Sequence, residues 1–389
     1  MKKRRIGVFT GSRADYGLLS PLIECICNSS TMELFLIVSG THLNEDFGKT
    51  QSEILDDGFI VSAEIDLELA SDSAVSVIRG MGVGLIKIAN ALEGASLDII
   101  VILGDRYEAL VAAQAAMILG VPIAHIHGGE LTLGLVDDAI RHSITKMSHL
   151  HFVAAQEYRD RVIQLGETPS NVYVVGALAL DNIEKIKQKT LDEMSSILGV
   201  ELIRPVFLVT YHPVTLQKDG DADFADDMLS VLHSFGGTTI VTGTNADMSG
   251  QKIRQTIKKY ASNEKINCHF FENLGVEKYL QLVCLADLVV GNSSSGVIEA
   301  PLLGRPSINI GRRQLGRLMA PSVLSCSSTA EELREKIHIG LSKEHLNISG
   351  LKKTPYGTSG AAPKIALILE NVECTNLINK TFYNLKVAN

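Results

Sequence analysis

Residues 287–310 read DLVVGNSSSGVIEAPLLGRPSINI. An apolar run, Leu288 to Val290, stops at a glycine. Ser293, Ser294 and Ser295 follow, then helix-forming residues over 297–303, then a second short strand-like stretch at 307–310. Short strand-like stretches on either side of a helical one predict a βαβ unit with a parallel sheet. The glycine-and-serine segment then falls at the carboxyl end of a strand and opens a helix. Open α/β sheets bind their ligands at such places.

The same grammar extends in both directions. Strands are predicted at 6–10, 34–38, 98–103, 121–127 and 172–175, with helices near 18–27, 107–119 and 137–147. A second series has strands at 206–210, 238–242, 287–290 and 307–310, and helices near 297–303, 331–340 and 362–372. The break around 176–190 separates them. The alternation predicts an α/β protein of two Rossmann-like domains with parallel sheets and right-handed crossovers, facing a central cleft. The expected domains are 1–178, 179–362 and a C-terminal helix, 363–389, returning to the first.

The 389 residues exceed one ordinary core. Apolar residues at 46% and charged residues at 21% exclude wholesale disorder. A net charge of −8 with no basic footprint argues against nucleic acid as a partner. The six cysteines read as reduced thiols rather than a disulfide framework. The amino-terminal apolar run is too short for a signal segment, and no stretch reads as a membrane span. A cytoplasmic protein with no membrane partner is expected.

Chemistry is sought in the segments after strands. Free N–H groups at 291–296, the helix dipole and three hydroxyls suit a phosphate. An ordinary serine-rich cap is the plain alternative. Glu299 accepts hydroxyl bonds or serves as a first-turn acid. Arg13, after the first strand, suits an oxyanion. The segment is not G-x-G-x-x-G, so a nicotinamide cofactor is not expected. Asp105 is either an acid/base group or a helix cap; partial burial would raise its pKa and Arg106 would lower it.

His125 and His127 on one strand would share a face, and Glu130 follows. A metal site lacks further ligands, so proton transfer is the preferred reading. His149 and His151 are read as structural. On the helix over 137–147, Asp137 faces Arg141 and Asp138 faces His142. That face lines a site or carries two surface ion pairs. His212, before Pro213, projects into a site or into solvent. Asn245 occupies the matching place on the next strand, and Arg312 and Arg313 bring cations near the serines.

GSRADY (11–16), LGDR (103–106), HIHGGE (125–130), DDAIRHSITK (137–146), YHP (211–213) and GNSSSG (291–296) occur in order. Together they resemble the UDP-N-acetylglucosamine 2-epimerase family, most closely its hydrolysing, sialic-acid-pathway branch. The likeness runs from the first strand to PYG (355–357). It implies a GT-B-like fold and conversion of UDP-N-acetylglucosamine and water to N-acetylmannosamine and UDP. It implies that Arg13, His212, Asn245, Asn292, Ser293, Ser294, Ser295, Gly296, Glu299 and Arg313 hold the nucleotide, with Arg106 at the sugar. Asp105, His127, Glu130, Asp137, Arg141 and His212 are the expected catalytic set. No metal or redox cofactor is required, and a homodimer or homotetramer is expected. Many relatives have Glu where this chain has His127, which admits a diacetamido sugar or another nucleotide. A GT-B glycosyltransferase and a nucleotide-sugar sensor are the rival readings.

Overall fold

The computed structural model describes residues 3–44, 49–69, 71, 73–133, 135–212, 221–243, 250–263 and 266–385. Contacts divide the chain into two compact units. One comprises Met1–Glu130, Val136–Asp181 and Tyr356–Asn389; the other comprises Leu131–Leu135 and Asn182–Pro355.

The first unit holds strands β1 (Arg4–Thr10), β2 (Met32–Ser39), β3 (Val61–Ile65), β4 (Ile99–Leu103), β5 (Ile123–Ile126), β6 (Leu150–Val153) and β7 (Val172–Val174). They form one parallel sheet in the order β3-β2-β1-β4-β5-β6-β7. Every residue of β4 is buried, because helices cover both faces. Strand alternation sends Ile99, Val101 and Leu103 into one core layer and Ile100 and Ile102 into the other. Each such side chain contributes about 1.5–3 kcal/mol by leaving water.

The second unit holds β8 (Val206–Thr210), β9 (Thr238–Thr242), β10 (Cys268–Phe271), β11 (Leu288–Gly291), β12 (Ser307–Ile310) and β13 (Val323–Cys326), parallel in the order β10-β9-β8-β11-β12-β13. Both sheets reverse their winding once, between β1 and β4 and between β8 and β11. These are topological switch points, where diverging loops leave room for a ligand. The segments after these four strands contain Arg13, Arg106, His212 and the three serines.

Helix boundaries differ from the sequence reading in instructive ways. The first helix is Arg13–Asn28, because Ser12 caps it by accepting the Asp15 N–H. Helix Ala361–Asn371 starts on the Asp181 carboxylate, which accepts the N–H groups of Gly360, Ala361 and Ala362. Helix Ala74–Glu93 corrects the expectation that no stretch has transmembrane length. Its 20 residues are long and apolar enough by length and composition. Glycines and two cations, Arg79 and Lys87, break up the run in the sequence. One side buries Gly80, Gly84, Ile88 and Leu92, while Val75, Ile78 and Ile86 on the other are exposed.

Candidate active site

In the first unit, β5 ends at Ile126. His127 takes a left-handed backbone, φ 66°, and so leaves the strand. The two histidines therefore do not share a strand face, which corrects the alternation argument. His125 stays in the core, its Nε2 2.8 Å from the Gly104 carbonyl and its Nδ1 3.1 Å from Thr145 Oγ1. Burial pushes its pKa down to about 3, so it is neutral. His127 Nδ1 instead lies 2.6 Å from Glu130 Oε1. Glu130 is buried, at 1% exposure. The other ring nitrogen, Nε2, is buried and has no hydrogen-bond partner among the described residues. Among those residues no group of three or more metal-ligating side chains occurs.

The helix after this turn, Val136–Met147, supplies Arg141, which is 1% exposed. Its guanidinium donates to the Asp105 carboxylate, to the Glu130 carbonyl at 2.9 Å and to Asp138 Oδ1 at 3.4 Å. His142 Nε2 lies 3.6 Å from Asp138. The expected Asp138–His142 pair is present, but Arg141 is buried rather than on the surface and is bonded to Asp105 and Asp138. Asp137, half-buried, sits on the first turn of the same helix. Asp105, His127, Glu130 and Arg141 thus form one connected group.

Arg106, not Asp105, is the cap residue of helix Tyr107–Ile118, so the cap reading of Asp105 is set aside. Arg106 donates to both carboxylate oxygens of Glu108, at 3.3 and 3.4 Å. Glu108 is 1% exposed. Sequence reasoning missed Glu108 and Asp15. The available signal was an acid two residues after an arginine at the head of an alanine-rich helix.

In the second unit, Asn292 is the hub. Its Oδ1 accepts the His212 N–H at 2.7 Å and its Nδ2 donates to the His212 carbonyl at 2.7 Å. Its own carbonyl accepts from Gln314 Nε2 at 2.8 Å and Arg313 Nη1 at 3.2 Å. These bonds bury His212, so the alternative of a solvent-facing turn histidine fails. Pro213 and Asn245 lie outside the described residues. Gly291 has φ 137°, and a Cβ there would stand 2.0 Å from the Thr210 carbonyl. Only glycine lets β11 turn so close to β8.

Helix Ser295–Leu302 begins earlier than the sequence reading has it, and Ser294 caps it without a side-chain cap bond. Glu299 is consequently not a first-turn acid, so that explanation for it lapses. Thr210, Tyr279, Ser293, Gly296 and Asn309 line a small recess at the head of this helix. Asn309 Oδ1 is buried and has no hydrogen-bond partner among the described residues. Burial first, then Glu299, push the Tyr279 pKa up to about 12, so the phenol stays neutral. A helix amino terminus with serines, neutral hydroxyls and a nearby arginine suits an anionic group.

Two parallel α/β units with polar loops at both switch points define a Rossmann-like enzyme of GT-B-like fold. A family model for UDP-N-acetylglucosamine 2-epimerase matches residues 25–370, and the chain belongs to that family. A GDP/UDP-N,N'-diacetylbacillosamine 2-epimerase (hydrolyzing) from Campylobacter jejuni is 35% identical, covering 99% of this chain and all of its own. The polysialic acid biosynthesis protein P7 of Escherichia coli is 32% identical over 98% of each chain. A solved structure of a Neisseria meningitidis UDP-GlcNAc 2-epimerase bound to UDP-GlcNAc aligns with a TM-score of 0.79 at 16% identity. That alignment covers 94% of this chain and 99% of the other. The protein is therefore an enzyme of the epimerase class, on the hydrolysing side of its family.

Proposed function

We propose that the enzyme cleaves UDP-N-acetylglucosamine with water to give N-acetylmannosamine and UDP, as a step toward a sialic-acid-type sugar. The observation that carries the reading is the connected group of Asp105, Arg141, Glu130 and His127 on a fold of this family. A sugar C2–H is not acidic, so its removal needs a base placed against it. His127 suits that task, since Glu130 takes the Nδ1 side and Nε2 is left for the ligand. As the C2–H bond breaks, its electrons form the C1–C2 double bond and the C1–O bond to UDP breaks. Negative charge then grows on the diphosphate. The amino terminus of Ser295–Leu302, Ser293, Ser294, His212, Arg13 and Arg313 are the groups assigned to it, with Glu299 at the ribose. Water adds its oxygen to C1, and a proton returns to C2 from the opposite face. Asp105 and Asp137 are the assigned partners for that second half, with Arg106 at the sugar.

A second substrate reading has its own support. The Campylobacter jejuni relative is named for a diacetylated bacillosamine carried on GDP or UDP. A diacetamido sugar is therefore the alternative hexosamine. The active assembly is read as a homodimer or homotetramer in the cytoplasm, and the exposed Val75, Ile78 and Ile86 supply an apolar face for a second copy. Incubating the protein with each nucleotide sugar, without an acceptor, tests the function. UDP and a free 2-epimeric sugar are expected from one of them. A glycoside formed only when an acceptor alcohol is added would instead identify a glycosyltransferase.

A further inference from the structure

After helix Ala361–Asn371 the described residues 372–385 form a strap without helix or strand. The strap crosses the amino ends of β5, β6 and β7, on the edge of the sheet away from the loops that follow β4 and β5. Ile378 reaches Gly120, just before β5. The Tyr383 N–H bonds the Gly166 carbonyl at 2.8 Å, just before β7. A Cβ on Gly166 would stand 2.4 Å from the Phe382 ring, so only a glycine leaves the ring its place.

Lys380 is the polar anchor of the strap. Its ammonium donates to the carbonyls of Lys146 and Ser148, at the end of helix Val136–Met147, and to both oxygens of Glu167 at 3.0 and 2.9 Å. Glu167 is 3% exposed and also accepts from Lys146 Nζ at 2.6 Å and His151 Nε2 at 3.0 Å. Burial keeps His149 and His151 neutral, so two ammonium groups share one carboxylate. The carbonyl end of the helix, where its dipole is negative, accommodates the second cation.

Two routes lead from this clamp to the bond between Asp105 and Arg141. The helix whose end Lys380 holds carries Arg141 five residues before Lys146, about 7.5 Å along the axis. His151, held by Glu167, pairs in register with His125 on β5. His125 in turn bonds the Gly104 carbonyl, one residue before Asp105, and Thr145 of the same helix. We infer that Lys380 is a positioning residue for the reaction: by gripping Glu167 and the end of helix Val136–Met147, it sets the seat of Arg141 against Asp105. The inference rests on the 2-epimerase reading, which gives that pair its part in the chemistry. A displacement of about 1 Å in a positioned group costs up to roughly 10²-fold in rate.

The test is steady-state release of UDP by the full chain, from UDP-N-acetylglucosamine and from a UDP-diacetamido sugar. On the sugar that wild type turns over, Lys380→Met should lower kcat about tenfold or more while KM stays within about threefold. Lys380→Arg, which keeps the cation, should restore most of the loss. In an Arg141→Lys background the loss from Lys380→Met should shrink to about twofold or less, because the two residues act through one geometry. A wild-type kcat in Lys380→Met overturns the inference even if Tm falls, and so does a loss carried by KM alone or one that stays whole beside Arg141→Lys. Each of these leaves the 2-epimerase reading standing. Release of UDP from neither sugar by wild type overturns both. Lys380→Met still leaves Glu167 with Lys146 and His151. Should it nevertheless not fold, Phe382→Ala decides, since that ring is 65% exposed. A kcat lowered about threefold or more at unchanged KM supports the inference, and a wild-type kcat overturns it.

Discussion

Glu130 fixes His127 through a 2.6 Å bond to Nδ1, and Nε2 is buried with no hydrogen-bond partner among the described residues. The strand ends at Ile126, one residue early, and His127 takes a left-handed backbone with φ 66°. Replacing the carboxylate tests the arrangement. Glu130→Gln should lower kcat by roughly 10²-fold or more with a smaller change in KM, since it releases the ring without removing it. His127→Glu should retain more activity than His127→Ala, because it places a proton-accepting carboxylate at the same position. Steady-state kinetics across pH check both.

Arg141 should matter to folding as much as to chemistry. It is buried, and it joins Asp105, Asp138 and the Glu130 carbonyl. Arg141→Met would remove the guanidinium from the Asp105 carboxylate and the Glu130 carbonyl, at a cost of about 1–3 kcal/mol. Urea unfolding reads that loss directly. Arg141→Lys should fall between the two, since it keeps charge but loses the planar fork.

Stability should fall on mild acidification. Burial pushes His42 down to about 4, His125 to about 3 and His149 to about 4. Below about pH 6.5 the unfolded chain takes up protons that the native state refuses. Each histidine then steepens the loss of stability by about 1.4 kcal/mol per pH unit until its folded value is reached. Glu167 behaves differently. Burial raises its pKa, but bonds from His151, Lys146 and Lys380 outweigh that and hold it at about 2. Its contribution is complete above the unfolded value and is lost only as the pH falls toward 2. Urea midpoints at pH 7, 6 and 5 should therefore decline steadily. A midpoint unchanged from pH 7 to 5 would contradict the histidine account.

Gly291→Ala should damage the second unit's loop. The backbone there lies where glycine alone is at ease, and the added methyl meets the Thr210 carbonyl. A penalty of about 1–3 kcal/mol from the backbone alone is expected, with the clash added. Thermal unfolding with and without UDP should show a lower Tm and a smaller shift by UDP than in wild type.

Much of this was legible in the sequence, for identifiable reasons. Fully buried parallel strands such as β4 and β8 announce themselves as unbroken apolar runs. Strands β3 and β10 do not, because VSAEI and CHFF mix polar residues at the sheet edges. The post-strand loops were readable because glycine and serine punctuate them. Pair identities were not. Spacing on one helix suggests Asp137 for Arg141, whereas the Arg141–Asp105 bond, between residues 36 apart, has no local signal. The left-handed turn at His127 was equally hidden, since no local residue demands it. The return of the chain to the first unit depends on Asp181 meeting the amides at 360–362, a contact no local pattern encodes.

The central claim is proton removal at C2 with departure of the nucleotide. It is tested most directly by incubating the protein with UDP-N-acetylglucosamine, and separately with a UDP-diacetamido sugar, in deuterated water, followed by proton NMR. The account predicts UDP and a free sugar of inverted C2 configuration carrying deuterium at C2 from one of the two. A liberated sugar that keeps its original C2 hydrogen and configuration would contradict it.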